Sequence, residues 1–184
     1  MRPDLASSDP CDWFALALAY QKGITVPQDP SQAIFWLEKA ARAGHAAAQM
    51  GLGTAYESGY GPLDINYAAA HHWMVMGAQN YNPVAARMLG YYSEYGTGTA
   101  VDFNQAAYWY DKALERGEIE AAVWLGLLHI QGKGVPQNLA RGIDLIKLGA
   151  EQGDTNAMFN LGNYYRMGIG VPFDTGQARF WLRK

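Results

Sequence analysis

The chain repeats itself about every 36 residues, and a chain built this way buries its apolar residues mainly against neighbouring copies of the same unit. Leu16, Leu52, Leu89, Leu125 and Leu161 fall 36, 37, 36 and 36 residues apart. Each is followed by a small residue: Ala17, Gly53, Gly90, Gly126 and Gly162. Trp36, Trp73, Trp109, Leu145 and Trp181 keep the same register, at spacings of 37, 36, 36 and 36. Such self-similarity marks a solenoid, an architecture used more for binding than for catalysis.

One copy read as a helix explains which residues recur. With the residue after each Leu as position zero and about 100° per residue, Ala at −5 (Ala48, Ala85, Ala121, Ala157), Leu at −1, Gly at 0 and a ring at +3 project onto one stripe roughly 140° wide. That is the width of a core-facing surface, and its small residues let a partner helix approach closely. Gly132-Lys133-Gly134-Val135-Pro136 and Gly168-Ile169-Gly170-Val171-Pro172 then end the helix, because Gly accepts a left-handed cap and Pro forbids continuation. Asp29-Pro30-Ser31, Asp102 and Asp174-Thr175 supply the next helix start. The second helix carries Ala33, Trp36, Leu37, Ala40 and Ala41, or Ala106, Trp109, Tyr110, Ala113 and Leu114, on one side, and Gly44, Gly117 and Gly153 close the unit. No stretch alternates for long enough to make a strand. The unit is helix–turn–helix, ten helices in all.

The pattern A-x-x-x-L-G-x-x-Y-x-x-G-x-G-V-x-x-D-x-x-x-A-x-x-W-x-x-x-A-A-x-x-G resembles the Sel-one-like repeat, a relative of the tetratricopeptide repeat. It covers residues 12–184, in copies at about 12–46, 47–82, 83–119, 120–155 and 156–184, after an N-terminal segment of residues 1–11. The resemblance implies an all-α right-handed α-solenoid, a superhelix of about five repeats that binds partner proteins on its concave side. Ala17, Ser93, Gly142 and Leu145 depart from the pattern, and the second copy carries one extra residue around Pro62-Leu63-Asp64. Some members pin each repeat with a cysteine pair. This chain has one cysteine, Cys11, so its stability must come from packing.

Composition narrows the function. A net charge of −3 without any basic run argues against a nucleic-acid partner, which needs clustered Lys and Arg. No apolar run approaches the roughly 18 residues of a membrane helix, so no membrane insertion is expected. Met1 to Pro10 is polar with two Asp, unlike a secretory signal. A cytoplasmic location is therefore expected, or a periplasmic one if an export signal precedes these residues.

Candidate chemistry is sparse. Gly132-Lys133-Gly134 lacks the spacing of a phosphate loop and recurs elsewhere as a turn. His71 and His72 diverge by about 100° on one helix and cannot share a metal. His129 fills a ring slot. Cys11 has no His or Asn that sequence could assign as a catalytic partner. No catalytic residue, metal site or cofactor is assigned, and the expectation is a non-enzyme.

The positions of the first helix that do not recur form a second stripe, and the resemblance places it in the concave groove. At −3 stand Phe14, Met50, Arg87, Val123 and Phe159; at +1, Leu18, Thr54, Tyr91, Leu127 and Asn163; at +4, Gln21, Glu57, Glu94, Ile130 and Arg166. Aromatic and Met anchors with a polar rim suit a protein or peptide partner. Two readings stay open: a binding groove, or side chains packed against one another across a tightly curved surface. The expected function is a protein–protein interaction scaffold. The alternatives are an immunity-type inhibitor of a toxin or hydrolase and, behind it, a hydrolytic enzyme with a site between repeats. The last copy breaks off after Phe180-Trp181-Leu182-Arg183-Lys184, so we expect a longer parent protein or end-to-end self-association through that edge.

Overall fold

The computed structural model describes residues 7–184, and residues 1–6 of the expected N-terminal segment lie outside them. Among the described residues there are ten helices and no strand. They fall into two compact units that divide after Val101, within the third copy. The first unit holds α1 (Pro10–Lys22), α2 (Pro30–Arg42), α3 (Ala46–Ser58), α4 (Tyr67–Gln79) and α5 (Pro83–Tyr95). The second holds α6 (Phe103–Glu115), α7 (Glu120–Gln131), α8 (Leu139–Glu151), α9 (Thr155–Met167) and α10 (Thr175–Leu182).

Local chemistry sets the helix ends. The Asp29, Asp102 and Asp174 carboxylates each accept from two backbone N–H groups of the turn that follows, at 2.8 to 3.1 Å. Asp9 caps α1 with a single such bond, from the Cys11 N–H, so the ordered helix takes in Pro10 and Cys11, which the sequence reading assigned to the N-terminal segment. At the other end Gly23, Gly59, Gly96, Gly132 and Gly168 sit in the left-handed region at φ 65 to 75°. The loop 59–66 is one residue longer than loops 23–29, 96–102, 132–138 and 168–174, which accommodates the extra residue of the second copy.

The recurring stripe is the core. The five repeat leucines are at most 3% exposed, and Ala48, Ala85, Ala121 and Ala157 are fully buried. The glycines after Leu52, Leu125 and Leu161 admit the second helix of their own copy. A Cβ on Gly53 would lie 3.1 Å from the Ala70 carbonyl, and one on Gly126 would lie 2.8 Å from the Gly142 carbonyl. Gly142, a departure from the pattern, has a partner that explains it: Ile130 of α7 occupies the space, 2.5 Å from where a Cβ would be. The buried Gln49 ties two copies together. Its amide donates to the Ala41 carbonyl at 3.0 Å, and its oxygen accepts from Asn80 at 2.8 Å.

The sequence reading takes Phe180, Trp181 and Leu182 as apolar surface on the unfinished last helix, and Trp181 corrects it. It is not part of an apolar end surface but only 6% exposed, in one cluster with Ile143, Ile146, Ala157 and Leu161. Its own and the preceding copy cover it, and Phe180 and Leu182 alone remain open there, at 51% and 42%.

The second glycine of each turn makes a contact between copies. A Cβ on Gly98 would lie 2.3 Å from the Tyr67 carbonyl, and one on Gly134 would lie 2.0 Å from that of Phe103, each at the start of the preceding copy's second helix. In the first copy Thr25 holds this slot at φ 70°, and among the described residues no second helix precedes it. Gly132→Ala should cost roughly 1–2 kcal/mol for the left-handed backbone, with a small further adjustment where the new Cβ meets the Gln137 Cβ at 3.1 Å. Gly134→Ala should lose roughly 1–3 kcal/mol more, because it overlaps backbone. Urea denaturation of the two variants checks this, and equal losses would mean that the glycine serves only its own φ.

Candidate interaction surface

In the first unit, part of the variable stripe comes together around a pocket of about 290 Å³. Phe14, Leu18 and Gln21 of α1 face Met50, Thr54 and Ser58 of α3, with Ile34 and Leu37 of α2 behind them. Phe14 is half-buried and stacks on the His45 ring at 4.6 Å, and His45 in turn caps α3 through Nδ1. The hydroxyl protons of Thr54 and Ser58 go to carbonyls of their own helix, Met50 at 3.2 Å and Thr54 at 3.0 Å. None of the residues around this pocket is charged.

The second unit has a smaller pocket of about 240 Å³ between α7 and α9, where Leu127 and Phe159 meet Trp124, Asn156 and Asn160. Phe159 stands 61% exposed. Val123 also lines this pocket, though not as an exposed anchor. It is 6% exposed and packs in the core cluster, because Gly149 of α8 has no side chain and leaves room 2.4 Å from where a Cβ would be. Ile130 is half-buried against the same cluster. Asn163 bonds back to the Phe159 carbonyl at 3.0 Å, and Arg166 is exposed in the last turn of α9.

Glu57, Arg87, Tyr91 and Glu94 are not part of either pocket. Tyr91, on the exposed side of α5, pairs with Tyr95 at 4.6 Å between ring centroids, and Arg87 and Glu94 are half-buried on the same helix. Glu57 lies beside Tyr92, a buried phenol that the sequence reading did not single out. Burial first, and then Glu57, push Tyr92 well above the ordinary 10.0. His71 stacks on the Tyr92 ring at 6.4 Å and is held below the ordinary imidazole value by burial and then by His72. Burial in three dimensions marks Tyr92, since its slot holds Ala19, Ala55 and Leu128 in three copies and a ring again only at Tyr164.

For Cys11, a hydrogen bond to Asp9 and that carboxylate's charge raise the thiol above 9.0, so it holds its proton more firmly than a free thiol. Among the described residues no group of three or more His, Cys, Asp or Glu side chains could hold a metal ion. No helix there is long and apolar enough to cross a membrane.

The Sel1 repeat profile matches residues 14–45, 46–82, 83–118, 119–154 and 155–184. The chain belongs to the Sel1 repeat family. It is similar to the crystal structure of a Sel1 repeat protein from Oxalobacter formigenes, at 33% identity and a TM-score of 0.89 over 94% of this chain and 68% of that one. It is also similar to c5321, a protective antigen of uropathogenic Escherichia coli displaying an SLR fold, at 32% identity and 0.87, over 94% of this chain and 37% of that one. Among curated proteins it is 34% identical over 100 residues to the chitin synthase regulator SKT5 of Saccharomyces cerevisiae, over 53% of this chain and 14% of the regulator. Six curated relatives are covered over only 8% to 29% of their own lengths. Sel1 repeats serve generally as protein-interaction scaffolds.

Two predictions follow from this placement. Val123→Ala should destabilise by roughly 1–3 kcal/mol, as loss of core methyl groups does, whereas Phe159→Ser should stay within about 0.5 kcal/mol of the parent. Urea midpoints decide, and comparable losses would put Phe159 in the core as well. For Tyr92 the folded-state pKa is raised, so its contribution is complete below the unfolded value near 10.0 and is lost as pH rises through the folded one. Stability measured from pH 8 to 11.5 should fall above pH 10, and Tyr92→Phe should flatten that decline.

Proposed function

We propose that this chain is a non-catalytic interaction scaffold that binds a partner polypeptide on the surface formed by the first helices of its repeats. The observation that carries the reading is the pocket between α1 and α3. Phe14, Leu18, Met50 and Thr54, which vary from copy to copy while their core neighbours repeat, are the residues gathered around it. An apolar, uncharged concavity beside polar rim residues is the composition of an interface core. Phe159, Leu127 and the Asn156 and Asn160 carboxamides offer a second contact in the other unit, lined also by Asp154. The relative named as a chitin synthase regulator fits a scaffold better than a catalyst.

Selection of peptides from a random display library on the full chain tests this reading. Peptides that bind should lose roughly tenfold or more in affinity on Thr54→Arg, which places a charge in the α1–α3 pocket, or on Phe159→Ser, with the helical circular dichroism unchanged. Binding indifferent to both variants would move the partner surface elsewhere.

A further inference from the structure

We infer that the face of α10 around Phe180 is a docking surface for a short acidic segment of a partner polypeptide. It lies in the second unit, apart from both pockets described above, and does not rest on the first-helix surface. Arg179, Phe180, Arg183 and Lys184 surround an open concavity of about 370 Å³, and none of the residues around it is acidic. Both arginines depart from the repeat. In the slot of Arg179 the other copies carry Ile34, His71, Ala107 and Ile143, and the three apolar ones are each 4% exposed. In the slot of Arg183 stand Glu38, Val75, Asp111 and Lys147. Helix packing therefore calls for neither arginine, yet the two lie one turn apart on one face of α10, where like charges repel.

These charges are not neutralised within the fold. On α2 and α8 the cations Arg42 and Lys147 pair with Glu38 and Glu151 of their own helix. Among the described residues no ion pair engages the Arg179 or Arg183 side chain. Asp174, at the head of α10, is occupied in accepting from the Gly176 and Gln177 N–H groups. Lys184 is fixed beside the arginines, its Nζ 5.0 Å from the Phe180 ring centroid and 5.1 Å from that of Trp181. Phe180 itself stands 51% exposed, edge-on to the buried Trp181. The negative end of α10 offsets about half a charge, which leaves most of the charge of three cations uncompensated.

Charge and size select the occupant. Ile143 is covered by the turn of the following copy, where Gly170 lies against it. An apolar neighbour of that kind over Arg179 would bury a guanidinium without a counter-charge. A nucleic acid fits poorly, because tight binding to phosphates draws on roughly 6–10 contacts, whereas three cations stand here on a chain of net charge −3. A few carboxylates relieve the repulsion and match the planar guanidinium forks. An apolar residue among them would lie on Phe180.

The test is an NMR titration of the full chain with two short amidated peptides, one alternating glutamate and leucine, the other with glutamine in place of glutamate. The acidic peptide should shift the amides of Arg179, Phe180 and Lys184 saturably. At about 50 mM salt it should bind about tenfold or more tightly than the glutamine peptide, and at about 300 mM that advantage should shrink severalfold. Arg179→Glu combined with Arg183→Glu, both on exposed positions, should abolish binding with the helical circular dichroism unchanged. Arg42→Glu combined with Arg141→Glu alters the net charge equally and should leave binding intact. No saturable shift on α10, equal affinities for the two peptides, or equal losses in the two double variants would overturn the inference. An oligothymidylate that binds more tightly than the acidic peptide would overturn it too, by giving the surface to nucleic acid. Thr54→Arg should leave the acidic peptide bound, so failure here and failure of the α1–α3 surface are read separately.

Discussion

Close approach of backbone to backbone at glycine sets the spacing on which every other contact depends. Two sets of glycines do this. Those after Leu52, Leu125 and Leu161 let the two helices of a copy meet, as Gly126 does against the Gly142 carbonyl. Those in the second position of the turn let a copy rest on the one before it, as Gly61 does on Pro30 and Gly170 on Leu139. At these glycines a side chain would push helices apart by more than a packed interior tolerates, whereas the first copy accommodates Ala17 and Thr25 at the corresponding places. With these distances held, Leu, Ala and the ring positions can fill the space between helices and exclude water.

The same constraint explains why the variable stripe is free to carry function. Positions −5, −1, 0 and +3 are committed to the neighbouring helix, so substitution there costs core packing. Positions −3 and +1 project away from that contact, and Phe14, Met50 and Thr54 can differ from one another without disturbing the spacing. The stripe is not uniformly free, however. Where α8 presents Gly149 in place of a larger residue, Val123 sinks into the gap and becomes core. Ile130 is drawn toward α8 by Gly142 in the same manner. Substitutions on the second helix thus decide how much of the first helix stays open to a partner.

Periodicity alone specified ten helices, their capping Asp and Gly residues and the leucine core, because each is a local property that recurs at fixed offsets. It also identified the slots that do not recur, from which the pocket residues Phe14, Leu18, Met50 and Thr54 come. The tertiary structure decided the rest. Val123 and Phe159 share one offset, yet one is buried and the other open, because the difference lies in what the facing helix presents. The burial of Trp181 and the Glu57–Tyr92 pair likewise depend on residues distant in the chain. An offset within one helix fixes direction, whereas exposure depends on the neighbour across the gap, and only the folded chain brings that neighbour into place.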